Sequence, residues 1–150
     1  MNDIELQLQE SIDTKKALLS ANLDIIRKIA DIVVNAFKNN HRIYLIGNGG
    51  SAADAQHIAG ELIGRFKMNR RPLPAVALTT DTSVMTALAN DFGYDTCFAR
   101  QVEALANKGD VILAFSSSGI SKGILNAVKV ARDVVVITIG FTGKDGGLSE

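Results

Sequence analysis

The chain has 150 residues, 47% of them hydrophobic and 21% charged, which suits one globular domain with a sizeable buried core. Sixteen Lys and Arg balance sixteen Asp and Glu, so no overall field recruits nucleic acid or an anionic lipid surface, and neither is expected as a partner. The single cysteine, Cys97, excludes an internal disulfide and fits a reducing compartment.

The opening stretch, "MNDIELQLQESID", is acidic and polar, unlike a secretory signal, and no apolar run approaches the ~18 residues of a membrane span. A cytoplasmic protein is expected. From Asp3 to Asn39 there is neither Pro nor Gly. Ile25, Ile29, Ile32, Val33, Ala36 and Phe37 recur at helical spacing and give one apolar stripe. Ser20-Ala21-Asn22 is the place to break this region into two helices. In the first helix Ile4, Leu8 and Ile12 carry a narrower stripe, suited to a partner subunit or to a contact within the chain.

After His41 short apolar runs alternate with helical segments. Residues 42–46, 75–78, 111–115 and 134–139 read as buried strands, and their near-continuous apolarity suits a parallel sheet covered on both faces. Helical stretches are expected around 52–66, 83–89, 97–106 and 121–131. The alternation predicts a doubly wound α/β domain, a three-layer sandwich of the flavodoxin-like kind behind long N-terminal helices. In such sheets ligands bind beyond the carboxyl ends of the strands.

Two strand-end loops carry the chemistry. Gly47-Asn48-Gly49-Gly50-Ser51 opens a helix; its glycines allow positive φ and close backbone approach, and Ser51 can cap the helix. The amides of that first turn, with the helix dipole, favour an anion. A tight structural turn explains the loop equally well, since it has neither the dinucleotide spacing nor a P-loop lysine. The second loop, "SSSGIS", places Ser116, Ser117, Ser118 and Ser121 before another helix start. Capping needs one hydroxyl, not four, and the surplus suits the acceptor oxygens of a phosphate.

His57 and Glu61 stand at i and i+4 on the helix after the first loop, so both point the same way. Imidazole and carboxylate together suit zinc or a similar divalent ion, while the same pair is also an ordinary surface contact. Glu61 can alternatively serve as a general base beside a phosphosugar carbonyl. In "TTDTSVMTALANDFGYD", Asp81 or Ser83 can cap a short helix that Gly93 ends, which leaves polar Asn90 and Asp91 at a loop without a packing duty.

Together "GNGGSAADAQHIAGELIGRF", "ALTTDTSVMTALANDFGYD", "FARQVEAL" and "GDVILAFSSSGIS" resemble the sugar isomerase (SIS) domain family, and within it the phosphoheptose isomerases. The likeness runs from the N-terminal helix to Gly147. It implies one SIS domain over 1–150, with an oligomerisation region at 1–40 and an α/β core at 41–150. It implies an aldose–ketose isomerase turning sedoheptulose 7-phosphate into the corresponding aldoheptose phosphate through an enediol. Asn48, Gly49, Gly50, Ser51, Asn90 and Asp91 would contact the substrate, and Ser116, Ser117, Ser118 and Ser121 its phosphate. Glu61 would be the catalytic base, and His57 and Glu61 would ligate zinc in a homotetramer with sites at subunit junctions.

Three departures qualify the likeness. Ile120 stands where the family often has Asn, and Ser117 where Thr is usual; neither change removes a hydroxyl donor. The larger one is that "TGKDGGLSE" ends where the family continues with a helix, a strand and a final helix, the last carrying a Gln and a His that complete the zinc site. A fragment of a longer enzyme, or a naturally short and inactive chain, would each produce this. The competing reading is a non-catalytic SIS module that senses a phosphosugar or binds a partner such as a replication initiator. Such relatives usually lack a glutamate at the position of Glu61, which is present here.

Overall fold

The structure is a computed structural model that describes residues 2–143 and Gly146. The rest of "TGKDGGLSE", with the expectations attached to it, lies outside the described residues. The chain divides into two compact units, up to Val34 and from Asn35 on.

In the first unit, helix α1 (Asp3–Ala21) starts from a capping box: the Asn2 side chain accepts from the Glu5 amide at 2.9 Å while the Asn2 amide donates to Glu5 at 3.0 Å. The helix ends at Asn22, within the break expected at Ser20-Ala21-Asn22. No residue of α1 is buried. Helix α2 (Leu23–Lys38) follows and crosses the division. Along its stripe Ile25 is exposed, Ile29, Ile32 and Val33 are half-buried, and Ala36 and Phe37 are buried.

The second unit is the alternating part of the chain. It contains β1 (Ile43–Gly47), α3 (Gly50–Ile63), β2 (Ala75–Ala77), α4 (Thr82–Phe92), a 3-10 turn (Tyr94–Thr96), α5 (Cys97–Leu105), β3 (Val111–Ser116), α6 (Lys122–Asp133) and β4 (Ile137–Thr142). The four strands form one parallel sheet in the order β2-β1-β3-β4. Ile43 lies opposite both Ala75 and Val111, and Val111 opposite Ile137. The chain therefore leaves β1 toward one edge and returns to place β3 on its other side. The reversal falls between β1 and β3, the topological switch point where ligands of such sheets bind.

Alternation along the central strands sends side chains to two buried faces. Tyr44, Ile46, Ile112 and Ala114 pack with Phe98 and Val102 of α5 and with Ile124, Ala127 and Ala131 of α6. Full burial of a side chain such as Phe98 contributes about 1.5–3 kcal/mol. Ile43, Leu45, Val111 and Leu113 occupy the other face and are also buried. There α3 packs on β1, β2 and β3 and presents Ala55 and Ala59, a pair of small residues one turn apart that lets the helix lie close to the sheet.

The expected doubly wound architecture is present, with differences at element ends. The strand expected over 134–139 starts only at Ile137, because α6 runs on to Asp133 and Val135 turns the chain at φ +59°. Apolarity alone cannot separate a helix-terminal turn from a strand in "VVVITI". Helix α3 begins at Gly50, so Gly49 rather than Ser51 holds the cap position, and it ends at Gly64 instead of reaching Phe66. Asn90 and Asp91 lie in the last turn of α4 and not in a loop, because that helix persists to Gly93.

Candidate active site

Both loops sit at the carboxyl ends of the two strands that flank the switch point. Gly47 closes β1 with no room for a side chain, since a Cβ there would fall 2.5 Å from the Ser51 carbonyl oxygen. Gly49 then takes φ +56° and ψ −122°, a conformation open to glycine. The chain thus turns within two residues and enters α3 with no side chain capping its amides. Ser51 spends its own amide on the Asn48 carbonyl at 3.0 Å. Ala52 and Ala53 likewise donate to the Gly49 carbonyl, while Gly49 and Gly50 are exposed at this end of α3, where the helix dipole favours an anion.

The serine loop has the same design after β3. The Ser116 hydroxyl accepts from the Gly119 amide at 3.2 Å, and Ser118 accepts from Ile120 at 3.4 Å. These bonds hold the turn. Ser121 stands at the cap position of α6 but makes no capping bond. Ser117 and Ser118 are exposed, while Ser116 and Ser121 are half-buried. Beside Ser116 and Gly119 opens a cavity of about 600 Å³ that runs between α6 and β4, lined also by Ile124, Thr138 and Lys129.

Asn48 joins the two loops. Its amide nitrogen donates to Ser121 Oγ at 3.1 Å, and its Oδ1 accepts from the Tyr94 hydroxyl at 2.8 Å. The first bond links positions 73 residues apart and the second 46. Tyr94 is the residue of this network that sequence reasoning missed. Its presence in "NDFGYD" carried no spacing signal, because the pairing exists only once the 3-10 turn is folded back toward β1.

The other predicted residues are distributed as follows. Asn90 donates to Asp91 at 2.7 Å, and both are exposed at the end of α4, four and three residues before Tyr94. His57 Nε2 and Glu61 Oε1 face each other on α3 at 3.8 Å, the imidazole well exposed and the carboxylate half-buried. That spacing lets one cation sit between them. Among the described residues no third His, Cys, Asp or Glu joins the pair, so these two alone would not close a metal site. Below them Arg70 donates to the carbonyls of Glu61 and Leu62, each at 2.8 Å, which pins the carboxyl end of α3. Glu61 borders a polar cavity of about 390 Å³ with Arg65, Lys67 and Asn69.

A parallel α/β domain with two uncapped helix starts at its switch point belongs to the class that binds small anionic ligands at strand ends. Residues 8–143 match the SIS domain family, and the chain belongs to that family. It is 52% identical over 139 residues to a phosphoheptose isomerase of Aquifex aeolicus, covering 93% of this chain and 73% of that protein. It is 59% identical over 122 residues to one of Aliarcobacter butzleri, covering 81% and 65%. Two solved structures superimpose closely. The phosphoheptose isomerase GmhA of Neisseria gonorrhoeae gives a TM-score of 0.91 at 40% identity, over 97% of this chain and 76% of that one. A phosphoheptose isomerase from Francisella tularensis gives 0.95 at 37% identity, over 99% and 78%.

Proposed function

We propose that this chain is an aldose–ketose isomerase of heptose phosphates, acting on sedoheptulose 7-phosphate. The observation that carries the reading is the pair of uncapped helix starts at neighbouring strand ends, tied by Asn48 to Ser121, with Glu61 on one of those helices. The names of the relatives supply the substrate class.

The serine loop holds the phosphate through the amides of the α6 start and the hydroxyls of Ser116, Ser117, Ser118 and Ser121. Asn48 and the backbone of Gly49, Gly50 and Ser51 hold sugar hydroxyls, with Asn90 and Asp91 contributing from α4. Glu61 takes the proton from the carbon beside the ketone. The carbonyl oxygen gains a proton and an enediol forms; the hydroxyl on the neighbouring carbon then gives up its proton, becoming the new carbonyl, as Glu61 returns the carbon proton to the former carbonyl carbon to give the aldose. His57 and Glu61 would be two ligands of a zinc ion, whose chemistry would be to polarise the substrate oxygens.

We further propose that the site is shared between copies, the phosphate loop of one meeting Glu61 of another, within a homotetramer in the cytoplasm. The exposed Ile4, Leu8 and Ile12 of α1 are consistent with such association.

The test is solvent exchange. In D₂O with zinc and sedoheptulose 7-phosphate, the protein should exchange the proton at the reacting carbon. Glu61→Gln should still bind the phosphosugar but lose exchange by about 10²–10⁴-fold, the range for a general base. Normal exchange in that variant removes Glu61 as the base. Tight binding by the unmodified protein without any exchange would instead mark a phosphosugar-sensing module.

A further inference from the structure

We propose that Tyr94 is a positioning residue of the phosphate site, fixing the Asn48 amide so that Ser121 is left to donate its hydroxyl proton to the bound anion. This rests on reading the strand-end loops as the sugar-phosphate site.

The argument follows the direction of each hydrogen bond. Asn48 Oδ1 can only accept, so at 2.8 Å the Tyr94 hydroxyl is the donor. Asn48 Nδ2 can only donate, so at 3.1 Å Ser121 Oγ is the acceptor. A serine hydroxyl has one proton. Ser121 Oγ accepts in its bond to Asn48, so its proton is left to point at whatever occupies the helix start. Turning the amide over would reverse both bonds. Ser121 would then spend its proton on Asn48 and present lone pairs to the anion, a repulsive contact.

Tyr94 biases this choice because a phenol donates more strongly and accepts more weakly than an aliphatic hydroxyl. A residue of other character there, such as Phe, would leave the amide without a preferred orientation. The ring is 51% exposed, so packing explains little of its placement. Tyr94 touches Asn48 and acts on the anion only through Asn48 and Ser121.

Calorimetric titration of the 150-residue chain with inorganic phosphate tests the relay, using Tyr94→Phe, Ser121→Ala and the double variant. Ser121→Ala should weaken phosphate several-fold. Tyr94→Phe should weaken it about five-fold, in keeping with one hydrogen bond, and with little change in Tm. The double variant should bind no more weakly than Ser121→Ala alone, because the Tyr94 effect passes through Ser121. Phosphate affinity in Tyr94→Phe equal to that of the unmodified chain overturns the relay and leaves the loop reading standing. A further full loss on adding Tyr94→Phe to Ser121→Ala also overturns it, since Tyr94 then acts independently. No phosphate binding by the unmodified chain, or none lost in Ser121→Ala, overturns both readings together.

Discussion

Gly47 shows how a single position can set a site. Its missing side chain lets β1 run into α3 with the Ser51 carbonyl 2.5 Å from where a Cβ would lie. Gly47→Ala should therefore destabilise the protein by about 1–3 kcal/mol, the usual cost of forcing an extra methyl into a packed place. Urea unfolding checks the magnitude, and phosphate affinity should fall with it because the α3 start must move. Asp110 makes the contrasting case at the other end of β3. Its two oxygens accept from the Arg42 and Asn107 amides, each at 2.8 Å, and the residue is buried. Asp110→Ala leaves both amides unpaired and should cost about 2–4 kcal/mol, with phosphate affinity retained in the folded fraction. The glycine and serine residues were legible from sequence because their chemistry is local. Tyr94 was not, because its meaning depends on a hydrogen bond across 46 positions.

Helix α5 illustrates what an element contributes. It buries Cys97, Phe98, Gln101 and Val102, and Gln101 donates to the Leu78 carbonyl at the end of β2. Burial pushes the Cys97 thiol above its ordinary pKa of 9.0, and burial likewise raises Tyr44, whose phenol donates to the Leu105 carbonyl. Both groups are neutral when folded. Their contribution is fully present below the unfolded pKa values and is lost as pH rises through the folded ones. Stability should accordingly hold between about pH 7 and pH 8.5 and fall beyond it. Urea midpoints measured from about pH 8.5 upward should show a shallower alkaline decline for Cys97→Ala than for the unmodified chain, and equal slopes would contradict this. The sequence located α5 within a residue because its apolar stripe is strong. It misplaced the start of β4 because the one polar residue of "VVVITI", Thr138, lies inside the strand and nothing polar marks where α6 stops.

On the scale of the whole molecule, the parallel sheet was readable from four apolar runs separated by helical stretches, and so was the idea that function sits at strand ends. The strand order was not, because apolar pattern does not say which strands are neighbours. Only the order β2-β1-β3-β4 puts the two loops side by side at the switch point. If copies share a site, mixing inactive Glu61→Gln with inactive Ser116→Ala/Ser121→Ala subunits should restore a fraction of the activity, whereas intact sites within each copy would restore none.

The central claim is that the two strand-end loops together hold a sugar phosphate. Amide chemical-shift mapping of the protein titrated with sedoheptulose 7-phosphate tests it most directly. Shifts concentrated at Gly49, Gly50, Ser51, Gly119 and Ser121 are predicted, with inorganic phosphate reproducing those at Gly119 and Ser121. Saturable shifts elsewhere, with both loops unmoved, would contradict the account.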